Sequence, residues 1–416
     1  MKSNYKRLGQ YIEFLDSRAI NHESILDLDS IKGISSISKD FIKTRANLIG
    51  VTADNYKVVE TSSFAYNPNT ARMGDKIPIA LNQFDFPVLV SSIYPTFKIK
   101  NINELLPEYL MMWFRRVEFD RYARYVSHGS AREVFDIEEM NGLMVPIPSI
   151  TKQKEIVKEY NTIVNRINLN KQLIQKLEET AQAIYKHWFV DFEFPNENGR
   201  SYKSSGGEMV KSELGDIPIG WEVRKISSLC QITSSKRIFE SEYKKEGVPF
   251  YRAGEIKQKK EGITIKDLLY ISKDKFLKIS KSFGHPLSGD ILLTAVGSLL
   301  GDSYLVENET FYFKDGNVVW FRKFVIEECN LYLYEYLQSD SFKELLNEIK
   351  IGSGQSAITI QSLNEKLIIK PSDMVLKIYQ KPALSINTNI AQFKKQNSKL
   401  YELRDLLLSK LATIEN

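Results

Sequence analysis

Cysteine and histidine are scarce in this sequence, and their scarcity excludes several kinds of site. The 416 residues include two cysteines, Cys230 and Cys329, and four histidines. A disulfide scaffold and a four-thiolate zinc site are therefore excluded. The histidines share no metal-ligand spacing, so a histidine-rich metal centre is not expected either.

Long apolar runs are also missing. No stretch approaches the roughly 18 apolar residues that a membrane-spanning helix needs. The first residues, MKSNYKRLGQYIEF, lack the apolar core of a signal peptide. A hydrophobic fraction of 43% with 26% charged residues is typical of a globular protein. We therefore expect a soluble, cytoplasmic protein, and its length predicts two or three domains.

The common catalytic motifs are absent as well. There is no Gly-x-Gly-x-x-Gly unit between a strand and a helix, no Walker loop and no Gly-x-Ser-x-Gly elbow. The tetrapeptide YNPN at 66–69 lacks the second proline and the aromatic residue of a methyltransferase corner. Nuclease-like Glu-x-Lys triplets at 255–257 and 348–350 have no upstream Pro-Asp. The glycines at 297 and 301 predict a tight turn. We expect no catalytic activity in this chain alone.

An internal repeat organises the sequence. An offset of 223 residues aligns its two halves without a gap, from the Gly-Ser pairs at 129 and 352 to the glutamates at 179 and 402. Segments rich in β-branched and aromatic residues precede helical segments at about 104–127 and about 330–349 in the two halves. The second half also has predicted strands at VPFYRAGEI, GDILLTAVG and NVVWFRK. This order predicts an α+β fold of two tandem mixed domains.

A long helix follows each mixed domain. Apolar residues in the segment from Thr151 to Phe189 alternate spacings of three and four, which is the heptad pattern of a coiled coil. About 36 residues would form a rod of about 54 Å. The repeat has the same pattern in the second half, where Pro382 predicts that the second long helix starts or kinks. The selected positions of the two seams are Ile163, Ile167, Asn170, Leu177, Ile386, Ile390, Asn397 and Leu400.

The simplest arrangement is an antiparallel coiled coil of these two helices. It would place the mixed domains at opposite ends of the rod, related by a pseudo-two-fold axis. Asn170 and Asn397 could fix the register of the seam or could make only local hydrogen bonds. The predicted boundaries are 1–150 and 217–372 for the domains, 151–190 and 373–412 for the helices, and 191–216 for a linker rich in Gly, Ser, Asn and Pro.

Basic residues cluster in both mixed domains, interleaved with aromatic residues. Lysine and arginine neutralise phosphates, and arginine can bind guanine edges, so these clusters favour DNA as a ligand. A solvated charged surface would explain any single residue equally well. Gly-Ser loops before each helix could let backbone approach DNA, although an ordinary turn also explains them. The candidate DNA contacts are Lys43, Arg45, Arg72, Arg132, Lys236, Arg237, Arg252, Ser353 and Gln355.

Three stretches carry a family resemblance. They are AIYKHWFVDFEFPNENGRSYKSSGGEM, LGDIPIGWEVRKISSL and GDILLTAVGSLLGDSYLV. With the order domain, helix, domain, helix, they resemble the specificity subunits of type I restriction–modification enzymes. The resemblance covers nearly the whole chain and implies two target-recognition domains, each recognising half of a split double-stranded DNA site.

The same resemblance implies the partners. Two methyltransferase subunits would bind the helical rod and methylate adenine, and restriction subunits would hydrolyse ATP. S-adenosylmethionine, ATP and Mg2+ would then be held by these partners and not by this chain. Two alternatives stay open at this point: a fused nuclease or methyltransferase with unrecognised motifs, and a coiled-coil scaffold without a DNA role.

Overall fold

The two halves of the repeat fold as two units, and each unit includes part of both long helices. We describe a computed structural model, which covers residues 4–22, 27–69, 76–127, 133–265, 267–350 and 356–414. The first unit extends to Arg166 and also includes the chain from Leu400 onward. The second unit is Ile167–Lys399. In the described ranges, no helix combines the length and apolar character needed to cross a membrane.

The first unit contains short strands around a four-stranded antiparallel sheet. Its strands are β1 (Tyr5–Arg7), β2 (Ile12–Leu15), β3 (Lys32–Ile34), β4 (Phe41–Lys43), β5 (Lys57–Val59), β6 (Phe64–Tyr66), β7 (Ile79–Leu81), β8 (Val88–Val90), β9 (Thr96–Ile99) and β10 (Met144–Pro146). Its helices are α1 (Pro107–Phe114), α2 (Val117–Val126) and α3 (Ile137–Gly142). The long helix α4 (Ile150–Tyr185) follows, and ends in a π-helical turn at Lys186–Val190.

Aromatic packing joins the sheet of the first unit to its helices. The sheet order is β2-β9-β6-β7. The fully buried rings of Phe64 and Phe97 lie on adjacent strands and stack with centroids 4.7 Å apart. Phe114 of α1 meets Phe64 edge-on at 5.9 Å. Offset and edge-on ring pairs of this kind stabilise a core beyond the area that they bury.

The second unit repeats this organisation. Its strands are β11 (Met209–Ser212), β12 (Gly215–Pro218), β13 (Glu222–Lys225), β14 (Gln231–Thr233), β15 (Val248–Tyr251), β16 (Leu269–Ile271), β17 (Ile291–Thr294), β18 (Ser303–Leu305), β19 (Tyr312–Phe313), β20 (Val318–Arg322) and β21 (Leu367–Lys370). Its helices are α5 (Ala253–Lys260), α6 (Lys273–Ser282), α7 (Cys329–Tyr336), α8 (Asp340–Ile349) and α9 (Ile360–Glu365), and the second long helix is α10 (Asp373–Lys410).

The structural repeat follows the sequence repeat closely. The offset of 223 residues carries the bounds of α2 onto those of α8, the bounds of α3 onto those of α9, and the first residue of α4 onto that of α10. The second four-stranded sheet, β14-β20-β17-β18, has the antiparallel pairing of the first. The predicted α+β fold of two mixed domains, each followed by a long helix, is confirmed.

Two predicted helices are each divided in the structure. The helix predicted at 104–127 is two helices, because Arg116 is extended, with φ −72° and ψ 143°. Buried Lys39 caps the break by donating to the carbonyl of Phe114, and Val117, the first residue after the break, is 53% exposed. The helix predicted at 330–349 divides into α7 and α8, where the Ser339 hydroxyl accepts from the backbone N–H of Phe342 and starts α8.

The strand predicted over VPFYRAGEI is also shorter than expected. Strand β15 ends at Tyr251 and α5 begins at Ala253. The Glu255 side chain accepts from the backbone N–H of Arg252 at 2.9 Å, so it caps the first turn of α5. The Gly297 turn agrees with the sequence, because residues 297–299 form a single 3-10 turn.

Pro382 does not start the second long helix, contrary to one of the two expectations for it. Helix α10 begins at Asp373 and contains Pro382. A proline inside a helix costs about 3 kcal/mol. The turns before it are held by the buried side chains of Val375, Leu376 and Tyr379, which belong to the main hydrophobic cluster of the second unit. Their burial offsets the loss of one backbone hydrogen bond.

The segment predicted as a linker is folded. Phe194 is 5% exposed, and its ring stacks on Trp221 at 5.0 Å and on Tyr202 at 4.6 Å. Further on, β11 and β12 form an antiparallel hairpin. The segment is rich in polar turn residues, but these aromatic rings pack it into the hydrophobic cluster of the second unit.

The folded segment leads to a stability prediction. Replacing Phe194→Ala should reduce the free energy of unfolding of the second unit by about 3–5 kcal/mol, because it removes a buried ring between two others. Exposed Glu197→Ala on the same segment should change it by less than about 0.5 kcal/mol. Chemical denaturation of the full chain measures both. Equal, small effects would show that the segment is a tether independent of the core.

Candidate DNA interface and helical spacer

Two of the first unit's candidate cations lie on an exposed hairpin. Lys43 is the last residue of β4, and Arg45 follows it shortly afterwards. Both side chains are exposed, and within the described part of the chain neither makes an ion pair. They are therefore available to phosphates. Arg72 and Arg132 lie outside the described residues.

A buried ion pair that the sequence did not indicate anchors this hairpin. Lys39, in the left-handed region at φ +55°, is 3% exposed, and its Nζ lies 2.7 Å from Asp120 Oδ1 on α2. Asp120 also accepts from the backbone N–H of Ile77 at 3.1 Å. Burial lowers the pKa of Lys39 to about 8 and raises the pKa of Asp120, and the attraction between the pair offsets part of each shift.

The arginines near α2 divide into two groups. Arg115 bonds Asp40 and the hydroxyl of Tyr160, and Arg116 is 6% exposed with its guanidinium 4.2 Å from the Trp113 ring centre. These two arginines belong to the core. Arg121 is exposed on α2, which also carries Tyr125 with 88% of its surface exposed.

Ion pairs occupy most of the basic cluster of the second unit. Arg237 Nε lies 2.8 Å from Asp315 Oδ2, and Arg252 pairs with Glu255. The lysines of α5 approach Asp302 and Glu309 at distances of 2.9–3.7 Å, and Lys257 also lies 4.0 Å from Glu261. The exposed Lys236 has its Nζ 4.6 Å from the Phe283 ring centre. Ser353 and Gln355 lie outside the described residues, and the roles of all these candidates stay predictions.

Helix α6 presents a basic surface that the sequence analysis missed. Lys273, Lys278 and Lys281 are exposed along one side, while Phe276 and Ile279 are buried on the other. None of the three lysines makes an ion pair with a described residue. The segment KDKFLKISKS has helical periodicity, and this amphipathic pattern is the signal that could have identified it.

The long helices pair in each unit. In the first unit, Ile156 and Tyr160 of α4 share a buried cluster with Leu408 of α10 and Leu411 just after it. In the second unit, Ala181 of α4 packs with Ile386 and Ile390 of α10. Residue numbers increase along α4 while those of the contacting residues on α10 decrease, so the two helices are antiparallel. Ile167 is also buried, and Ile163, Leu177 and Leu400 are half-buried.

The two seam asparagines meet in the second unit. Asn170 Nδ2 donates to Asn397 Oδ1 at 2.9 Å and to Gln396 Oε1 at 2.8 Å. Asn397 Nδ2 donates to the carbonyl of Ile167 at 3.5 Å. Asn170 Oδ1 is buried and has no hydrogen-bond partner among the residues that the structure describes. The hydrogen bonds of the pair form only when these residues face each other, which is the physical requirement for a register-setting contact.

A buried carboxylate joins helix α7 to the long helix α4 of the second unit. Glu335 is 2% exposed, and its Oε2 accepts from Gln182 Nε2 of α4 at 2.6 Å. Asn387 of α10 lines the same cavity, where its Nδ2 donates to the carbonyl of Ala383 at 2.9 Å. Burial raises the pKa of Glu335 from 4.5 to about 7, while the hydrogen bond from Gln182 acts in the opposite direction. In the described part of the chain, no cluster of three or more His, Cys, Asp or Glu side chains could hold a metal ion.

Comparison with known proteins identifies the class of this fold. The sequence profile of the type I restriction modification DNA specificity domain matches twice, at residues 57–179 and 218–395. These two matches cover most of the chain, one in each half of the repeat. The chain therefore belongs to the family of type I restriction–modification DNA specificity proteins.

Individual relatives are distant in sequence. The chain is 24% identical to the type I restriction enzyme MjaIX specificity subunit of Methanocaldococcus jannaschii, over 74% of this chain and 68% of that protein. It is also 24% identical to the HindI specificity subunit of Haemophilus influenzae, over 75% of this chain and 78% of that protein. The crystal structure of the type I system S subunit from M. genitalium has the same fold, with a TM-score of 0.59, 14% identity and coverage of 99% and 96%.

The asparagine pair predicts strongly non-additive mutations. Asn170→Leu and Asn397→Leu should each reduce the free energy of unfolding by about 1–3 kcal/mol, because each leaves a buried amide without its partner. The double variant should recover most of that loss through apolar packing. A double-mutant cycle by chemical denaturation measures this coupling. Exposed Asn165→Leu serves as the control, and additive losses at the two seam positions would contradict a shared contact.

The raised pKa of Glu335 predicts a pH-dependent stability. Between the unfolded pKa of 4.5 and the folded pKa of about 7, the folded protein holds a proton that the unfolded chain has released. Folding stability therefore falls as the pH rises through this window. Relative to Glu335→Gln, the native chain should lose about 2 kcal/mol of unfolding free energy between pH 5 and pH 8.

Denaturation of both proteins at the two pH values measures the difference. Glu344→Gln on the exposed side of α8 is the matched control, since that carboxylate lies in solvent. Parallel pH profiles for the native chain and Glu335→Gln would show that the buried carboxylate does not titrate differently on folding.

Proposed function

We propose that this chain is the DNA-specificity subunit of a type I restriction–modification complex, with each mixed domain recognising one half of a bipartite site. The observation that carries the proposal is the repeat: the same sheet and helices occur twice, each followed by a long helix, and each copy matches the DNA specificity family. A protein with two related domains on paired helices suits two half-sites separated by an unread gap.

Surface charge supports a DNA ligand in each unit. The first unit offers Lys43 and Arg45 on the hairpin, and the second offers Lys236 and the lysines of α6. Phosphate contacts from such residues fix position and orientation, while contacts in the grooves select the sequence. Because most cations of the 252–260 segment already pair with acidic residues, the unpaired lysines are the better candidates for phosphate contacts.

Methylation and ATP hydrolysis would be carried out by partner subunits. Two methyltransferase subunits would bind the helices and methylate adenine, and restriction subunits would hydrolyse ATP, so that S-adenosylmethionine, ATP and Mg2+ belong to those subunits. Leu403 and Leu406 of α10 are each 52% exposed. They line an apolar groove beside Ile163 in the first unit, and such a surface suits a protein partner.

A domain exchange tests the proposal. Replacing residues 217–372 by the equivalent domain of another specificity subunit should change one half of the methylated DNA motif and leave the other half intact, because base contacts come from each domain separately. Mapping methylated adenines in a host that expresses the chimera with its methyltransferase gives the result.

The reciprocal exchange of residues 1–149 is the matched control, and it should change only the other half of the motif. If one exchange altered both halves, the domains would not be independent recognition modules. If the native chain directed no methylation at a bipartite motif, the proposed function itself would be wrong.

A further inference from the structure

Helix α7 rests on the long helices of the second unit through two unlike contacts. On the apolar side, the Tyr332 ring meets Tyr185 at 5.8 Å and Phe189 at 4.8 Å, and its hydroxyl donates to the carbonyl of Ile369. One turn further along α7, Glu335 makes the polar contact with Gln182. The Gln182 amide also donates to the backbone carbonyl of Glu335 at 3.1 Å.

The polar contact lies at the wall of a cavity of about 180 Å³. The cavity is lined by both long helices and by the mixed domain, and it contains further charged groups, since Lys394 Nζ lies 3.8 Å from Glu178 Oε1. Apolar packing alone does not fill this junction. The orientation of the domain on the helices therefore depends on directional hydrogen bonds at this edge.

The equivalent positions in the first unit do not form this polar contact. The repeat offset places Met112 at the position of Glu335 and Val164 at the position of Asn387. Met112 is 2% exposed, and Val164 packs against the same hydrophobic cluster. The equivalent of Gln182 is Asp405, which is exposed and pairs with Arg404 at 2.7 Å. The polar contact is thus a feature of the second unit and not of the repeat.

We propose that Glu335 is a positioning residue, which locks the second recognition domain to α4 through Gln182 and so fixes the distance at which the second half-site is read. This inference rests on the proposed function. A carboxylate hydrogen-bonded to a neighbouring helix resists sliding and rotation, whereas a methionine tolerates both because its side chain is flexible and its contacts are not directional. Glu335 acts only through the helices and not by contact with DNA.

The test gives the second unit the apolar contact of the first. Glu335→Met copies Met112, Gln182→Leu removes the amide donor, and Glu335→Gln is the conservative variant, since its amide oxygen can still accept from Gln182. Gln338→Met is the matched control, because Gln338 lines the same cavity without a side-chain hydrogen bond to any described residue. Each chain is co-expressed with the methyltransferase subunit, and methylated sites are mapped across the host genome.

The readout is the length of the unread gap. The native chain, Glu335→Gln and Gln338→Met should methylate sites of one gap length. Glu335→Met and Gln182→Leu should also methylate sites whose gap differs by one base pair, at no less than about a tenth of the level at the main sites. The two half-site sequences should not change.

If Glu335 only stabilised the fold, its replacement would lower the yield of the complex and leave a single gap length. Folded Glu335→Met or Gln182→Leu that kept a single gap length would overturn the inference. If Glu335→Met is not recovered in the complex, Gln182→Leu decides, since Gln182 is half-buried and its replacement removes the donor to Glu335 without changing α7. Absence of bipartite methylation by the native chain would instead reject the proposed function.

Discussion

The antiparallel contact between α4 and α10 is the constraint on which the rest of the structure depends. Each unit buries the ends of its own helix segments together with its mixed domain, so neither domain core is complete without that pair. In the first unit the shared core includes Ile156 and Leu411, and in the second it includes Tyr185 and Tyr379. Any change in helix register would therefore disturb the domain cores as well as the seam.

Polar groups make this contact specific. Apolar seams tolerate slippage, because one leucine or isoleucine position can replace another. The Asn170–Asn397 bond and the Glu335–Gln182 bond have no equivalent at a shifted register, so a slip would leave buried polar atoms without partners. The repeat offset maps Asn170 to Phe393 and Asn397 to Ile174, so these contacts also distinguish the two halves of an otherwise repeated chain.

The sequence predicted the features that depend on local pattern. The repeat and the heptads predicted two mixed domains and two long helices, because periodicity and offset are visible without any knowledge of tertiary contacts. Features that depend on distant partners were missed. The break before α2 involves Lys39, and the neutralised lysines of α5 pair with Asp302 and Glu309. Pro382 predicted a possible helix start, but buried side chains on its N-terminal side overrode that local preference.

The candidate site was less predictable than the fold for the same reason. Lys43 and Arg45 are exposed and Arg237 and Arg252 are ion-paired, while DNA binding by all four stays a prediction. Sequence cannot show which cations have acidic neighbours. Glu335 lies in the segment LYLYEY, where the neighbouring leucines and tyrosines indicate a buried position. Its partner Gln182 is far away in sequence, so this contact could be found only from the structure.

We propose that the paired helices set the distance between the two half-sites. The most direct test inserts four residues beside Asn170 and four beside Asn397. The insertion adds about 6 Å and about 40° beyond a full turn to each helix, against about 3.4 Å and about 34° per base pair of DNA. The account predicts a methylated motif with unchanged half-sites and a gap longer by one or two base pairs. An unchanged gap, in a variant that still folds and directs methylation, would contradict it.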